Sequence, residues 1–198
     1  MKKLVIFESI KGARKTTLIN ELVKVIPNST TYYEELTLKP IKHIENKETV
    51  VDYYKSLINK IEEVETDCIL LDRFHYTKWP VVWYEKDYFQ EIEELLLNTF
   101  EVFFVFLTID SEYILQRLTH TQNHRQSEGW KLNYDNASID DEAQKDIEWQ
   151  EFFLQHQYRD TLIKKKMIMD TSKLHLSVDG LEPYISKILE FLSNSKGL

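Results

Sequence analysis

From Leu4 to Thr17 the chain reads LVIFESIKGARKTT, an apolar run followed by a short polar loop that ends in Lys15, Thr16 and Thr17. A lysine just inside a helix can reach the outer phosphates of a nucleotide. The hydroxyl after it can bind Mg²⁺, provided that the preceding loop aims its backbone N–H groups at the anion. Lys11, Gly12, Ala13, Arg14, Lys15, Thr16 and Thr17 are therefore the candidate cradle for the phosphates of ATP, with Thr16 a candidate Mg²⁺ ligand. A phosphate loop carries glycines where this chain has Ser9 and Arg14, and only the interior Gly12 remains. Glycine serves there because a residue with a Cβ loses about 1–2 kcal/mol in left-handed backbone. Arg14 is expected to bear that strain and to bring a second cation beside Lys15. On the loop alone, a strand-to-helix turn with no ligand remains an equal reading.

A second cluster lies in LLDRFHYTKW, where Asp72 and Arg73 follow an apolar run. The carboxyl end of a central strand is where open parallel sheets take their ligands. There Asp72 could help position Mg²⁺ through water, and Arg73 could hold an anionic substrate or the transferred phosphoryl group. The plainer alternative is a structural ion pair. Aromatic side chains cluster nearby, among them Tyr53, Tyr54, Phe74, Tyr76, Trp79 and Trp83. Tyr53, Phe74 and Tyr76 are candidates to stack on a base, although most aromatics at such spacing belong to a core. His120 and His124 stand four apart without a third ligand, so no metal site is expected there. The acidic run Asp140, Asp141, Glu142 is explained by a helix N-terminus.

These residues need a frame. Short apolar runs at 3–7, 30–35, 68–72, 102–109 and 166–170 alternate with segments of helical period, and most are too continuously apolar to face water on one side. The expected fold is α/β, a doubly wound parallel sheet of five strands covered by helices on both sides. Leu18, Ile19, Leu22, Val23 and Ile26 form one helical stripe, and Leu181, Tyr184, Ile185, Ile188, Leu189 and Leu192 a closing one. The polar segment 119–146 reads as a mobile lid within a single domain, 1–198.

Composition limits the partners. A net charge of −8 argues against a surface for a nucleic acid polymer. Cys68 is the sole cysteine, so no internal disulfide forms and an intracellular, cytoplasmic setting is expected. No apolar run is long enough to cross a membrane.

The loop FESIKGARKTT followed by LLDRFHYT resembles the thymidylate kinase family and its deoxynucleoside kinase cousins, which carry an FEGxxGxGKTT loop and then a DR[FY] or ERS element. The resemblance implies an α/β fold of the three-layer P-loop NTPase type, with a five-stranded parallel sheet and a helical lid, and transfer of the ATP γ-phosphoryl to a nucleoside or nucleotide, with Mg²⁺. Lys15 and Thr16 match the family's phosphate lysine and Mg²⁺ hydroxyl, and Asp72 and Arg73 match its DR pair. Arg117 and Arg125 stand where the family places lid arginines that stabilise the transferring group. Asp170 and Thr171 occupy the turn beside the adenine, and Glu8 of the loop faces the substrate. The expected acceptor is a (deoxy)nucleoside monophosphate, with a free nucleoside as the alternative. The DRF element favours a monophosphate such as dTMP. Glu34 and Glu35 favour a free nucleoside, with Glu35 as the base. A non-catalytic relative serving as a binding module is the third reading, because Ser9 and Arg14 replace loop glycines. Self-association into a homodimer is left open.

Overall fold

The computed structural model describes residues 1–77, 86–125, 138–174 and 180–194. Five apolar runs pair into one sheet: β1 (Lys3–Ser9), β2 (Ser29–Tyr32), β3 (Cys68–Asp72), β4 (Glu101–Thr108) and β5 (Lys166–Asp170). All neighbours are parallel, in the order β2-β3-β1-β4-β5. Both faces of the central strands are covered, which is why their sequences are apolar without alternation. Leu4 and Ile6 point into one core with Ile69, Leu71, Phe104 and Phe106; Val5 and Phe7 point into the other with Leu70, Phe103 and Val105.

The described helices are α1 (Lys15–Val25), α2 (Glu34–Thr37), α3 (Lys47–Glu62), α4 (Lys86–Thr99), α5 (Ser111–Arg125), α6 (Ile139–Phe152), which runs on through a π-helical stretch at Phe153–Gln157, a turn α7 (Tyr158–Asp160), and α8 (Glu182–Ser193). The stripes that predict α1 and α8 are the ones buried: Leu18, Ile19 and Leu22, then Ile188 and Leu192. The second core lies under α1, α5 and α8, and the first under α3 and α4.

One boundary differs from the sequence expectation. The second strand ends at Tyr32, and Glu34 and Glu35 open α2 instead. The Thr37 hydroxyl of α2 donates to the Asp72 carbonyl at 2.7 Å, which folds this segment over the end of β3 rather than along it. Of the segment 119–146 expected as a lid, α5 covers the part up to Arg125 and α6 the part from Ile139, and 126–137 lie outside the described residues. Ser138 starts α6 through a capping box with Asp141, which places the acidic run in its first turn.

β1 lies between β3 and β4, and the chain order reverses between β1 and β3. A crevice outside the carboxyl ends of these two strands is where such sheets bind ligands. Register aligns Phe7 with Asp72, so Glu8 and the loop after it meet Arg73 at this point.

Candidate functional site

The loop leaves β1 at Ser9 and enters α1 at Lys15 through two residues in left-handed backbone, Gly12 at φ 76° and Arg14 at φ 64°. A Cβ on Gly12 would lie 3.0 Å from the Arg117 Cβ, so the position is closed to a side chain by strain and by contact. Arg14 keeps the conformation that a glycine would ordinarily hold, which accounts for the expected strain. No side chain caps α1, unlike α3 and α6, whose first turns are capped by Asn46 and Ser138. The first N–H groups of a helix have no partner within the helix itself. The Ser9 hydroxyl at the start of the loop is buried without a hydrogen-bond partner among the described residues.

Lys15 is buried and forms an ion pair with Asp72, while its Nζ lies 3.6 Å from Glu34 Oε1. The Thr16 hydroxyl donates to the other Asp72 oxygen at 2.7 Å. Burial, with the Arg73 charge adding to it, pulls Lys15 down to about 7 against Glu34 and Glu8. A hydroxyl and a carboxylate side by side are hard oxygen donors of the kind Mg²⁺ takes, so Thr16 and Asp72 fit that ion. Lys15 and the uncapped α1 N-terminus fit the phosphates of a nucleotide.

Beyond β3, Arg73 is also in left-handed backbone, at φ 63°. Its Nε donates to Glu34 Oε1 at 2.5 Å, its Nη1 lies 3.6 Å from Glu8 Oε2, and its backbone N–H donates to the Phe7 carbonyl. Burial would lower Arg73, but Glu34 and Glu8 hold it above its ordinary value. Glu8 accepts hydrogen bonds from the Phe74 N–H at 3.0 Å and the Thr77 hydroxyl at 2.8 Å. Burial raises its carboxyl against Arg73 and Lys15. For Glu34, burial is outweighed by Arg73 and Lys15, which take it below the usual range.

The structure thus brings together Glu8, Lys15, Thr16, Asp72 and Arg73 from the sequence candidates. Several others lie elsewhere. Glu35 is exposed and binds Lys39 at 2.7 Å; its neighbour Glu34 is the residue turned inward, because the first turn of α2 can point only one of the pair at Arg73. Phe74 and Tyr76 are fully buried; Tyr76 packs on Phe104 and its hydroxyl lies between Glu93 and Thr161, so neither ring lines the crevice. Tyr53 covers α2, donating to the Leu36 carbonyl at 2.6 Å. Arg117 is buried and gives Nη2 to the carbonyls of Thr171, at 2.9 Å, Ser172, at 3.1 Å, and Leu174. That makes it a brace between α5 and the turn after β5, beneath Gly12, and removes its guanidinium from the Asp72–Arg73 group. In that turn Thr171 bonds the Thr108 carbonyl at 2.9 Å, and Asp170 accepts from the Ser172 N–H at 2.8 Å. The side chains of Arg125 and His124, with all of Trp79 and Trp83, lie outside the described residues.

Sequence reasoning missed the part of the site supplied by α6. Lys11 of the loop forms an ion pair with Glu142, whose carboxylate is fully buried. The spacing of Glu142, Asp146 and Gln150 puts three polar groups on one helix face, but polar spacing alone reads as a solvated face.

No protein-family model and no curated protein matches the chain. Solved structures do. Shikimate kinase from Bacteroides thetaiotaomicron matches with a TM-score of 0.63 at 14% identity, over 96% of this chain and 98% of that one. Shikimate kinase from Acinetobacter baumannii, in complex with shikimate, matches with a TM-score of 0.57 at 15% identity, over 99% and 95%. The parallel sheet, the loop after β1 and these neighbours define a P-loop kinase fold. The neighbours are shikimate kinases, so the comparisons carry the fold and leave the narrower likeness to thymidylate kinases with the two sequence motifs. Among the described residues no helix is long and apolar enough to cross a membrane.

Proposed function

We propose that this protein is a phosphotransferase that uses Mg²⁺·ATP to phosphorylate a hydroxyl of a small acceptor. The observation that carries this reading is the meeting of Lys15, Thr16 and Asp72 at the reversal point of a P-loop kinase sheet, just after a left-handed turn into an uncapped helix. Lys15 and the α1 N–H groups would hold the phosphates, and Thr16 with Asp72 would hold Mg²⁺, which supplies charge neutralisation at the transferring group. Arg73 and Glu34 stand beside them to receive the acceptor.

The acceptor side is carboxylate-rich. Arg73 is already engaged by Glu34 and Glu8, which disfavours a second doubly charged anion and favours a neutral alcohol such as a nucleoside. The solved neighbours are named for shikimate, a hydroxyl acceptor that carries a carboxylate and no phosphate, which supports an acceptor without a phosphate. The second reading, a pyrimidine monophosphate such as dTMP, rests on the Asp72-Arg73-Phe74 element. Labelled ATP offered with deoxynucleosides, deoxynucleoside monophosphates and shikimate tests both. Transfer to a neutral alcohol is expected; transfer to monophosphates alone would reverse the choice of acceptor.

A further inference from the structure

Left-handed backbone such as that of Arg73, at φ 63°, costs a residue with a Cβ about 1–2 kcal/mol and persists only where the surroundings hold it. Two buried carboxylates do so here. On one side Glu8 of β1 accepts from the Phe74 N–H at 3.0 Å and from the Thr77 hydroxyl at 2.8 Å, and Arg73 Nη1 donates to that same hydroxyl at 3.2 Å. The other side belongs to Glu93 of α4. Its Oε1 accepts from His75 Nε2 at 3.2 Å, from the Tyr76 hydroxyl at 2.6 Å and from the Thr161 hydroxyl at 2.7 Å, and its Oε2 accepts from the Leu162 N–H at 2.7 Å.

Glu93 thereby joins α4, the turn Arg73–Thr77 after β3 and the segment between α7 and β5. Burial works against its charge, but His75, Tyr76 and the Leu162 N–H hold its carboxyl below the usual range. An ionised carboxylate can only accept, which puts a proton on His75 Nε2. The rings that carry two of these donors are themselves fixed, since Tyr76 stacks on Phe104 and His75 on Phe89. Buried hydrogen bonds of this kind commit a core to one arrangement. Glu93 is 1% exposed and beyond the reach of a ligand, whereas the Arg73 side chain is 14% exposed, so any effect of Glu93 on a ligand runs through the turn.

Resting on the phosphotransferase reading, we infer that Glu93 is a positioning residue for the acceptor side of the site. By anchoring His75 and Tyr76 it keeps Arg73 in its left-handed setting, with the guanidinium against Glu34 at the crevice. Released from Glu93, the turn relaxes toward ordinary backbone and the guanidinium leaves Glu34.

One measurement needs no acceptor. In ¹H–¹⁵N spectra of the arginine side chains, the wild-type Arg73 Nε–H, assigned by its loss in Arg73→Lys, is expected at low field and protected from exchange with water, because a carboxylate holds it. Glu93→Gln, and Tyr76→Phe, which removes one donor and keeps the ring, are each expected to broaden that signal or move it to the position of an unbound guanidinium. Tyr76→Phe carries the test should Glu93→Gln fail to fold. Leu192→Ala, which opens a cavity in the second core, is expected to lower stability and leave the signal in place. A second measurement takes whichever of thymidine, dTMP or shikimate the wild type phosphorylates. Both turn variants are expected to lose up to about a hundredfold in kcat/KM for that acceptor, through KM, with the Kd for Mg²⁺·AMP-PNP unchanged. An Arg73 signal unchanged in both variants, or a wild-type kcat/KM in a variant whose signal has moved, overturns the inference and leaves the phosphotransferase reading standing. Failure of the wild type to bind Mg²⁺·AMP-PNP overturns that reading instead, and the spectra still decide whether Glu93 places Arg73.

Discussion

Lys15 and Asp72 form a buried ion pair that ties the loop after β1 to the end of β3, and the Thr16 hydroxyl donates to the same carboxylate. Removing one member of such a pair leaves a buried charge, at a cost of roughly 3–5 kcal/mol. Lys15→Ala is thus expected to lower stability as well as to abolish transfer, and Lys15→Ala with Asp72→Ala to be less destabilised than the sum of the two. Urea unfolding of the four members of this cycle checks the coupling. Additive losses would mean that the two groups do not interact.

Arg14 and Gly12 make opposite predictions from the same backbone conformation. Arg14→Gly removes a Cβ from φ 64° and is expected to gain up to about 1 kcal/mol of stability, with nucleotide affinity equal or tighter. Gly12→Ala is expected to lose more than that, because its Cβ meets Arg117 as well. Thermal melts of both variants report the two signs, and a destabilised Arg14→Gly would show that the Arg14 side chain contributes more than its strain removes.

For Arg117 the structure and the family resemblance point to different outcomes. A guanidinium shared among three backbone carbonyls braces the turn after β5, and hydrogen bonds to a charged group are worth about 1.5–3 kcal/mol each. Arg117→Ala is expected to melt earlier, with little change in the KM for the acceptor. A variant of wild-type stability that loses turnover would restore the transition-state role.

Asp146 makes stability depend on pH in a direction set by its raised value. Its folded value of about 6 lies above its ordinary 3.8, so the folded state favours the protonated form. The associated stability is complete below about pH 4 and is lost as pH rises through about 6. The difference of about two pH units corresponds to about 3 kcal/mol. Asp146→Asn is expected to be more stable than the wild type near neutral pH and equal to it in acid. Chemical unfolding at both ends of that range measures the crossover, and equal stability throughout would place Asp146 in a wetter setting.

The fold was legible because parallel strands buried on both faces must be apolar throughout. The run Cys68–Asp72, buried along its whole length, therefore appears with its true ends, and Lys166–Asp170 does so as well although it is a partly exposed edge strand. The first half of the site was legible for a similar reason, since Lys15, Thr16, Asp72 and Arg73 lie at strand ends that the sheet brings together. Glu34 was mistaken for its neighbour because choosing between adjacent glutamates requires knowing where β2 stops, and that is set by Thr37 reaching the Asp72 carbonyl. Asp146 was not legible, because its burial comes from the docking of α6 through Lys11–Glu142 and Gln150–Ile109, contacts between residues far apart in sequence.

The claim on which the rest depends is that the loop from Ser9 to Thr17 still holds a nucleotide without its usual glycines. Isothermal titration of the protein with Mg²⁺·AMP-PNP tests it directly, with Lys15→Ala alongside. Binding by the wild type, weakened about tenfold or more in Lys15→Ala, is the expected result, since a lost charged contact of about 1.4 kcal/mol is a factor of ten. No heat of binding at millimolar nucleotide, or equal binding by both proteins, would contradict it and leave a kinase fold that serves as a binding module.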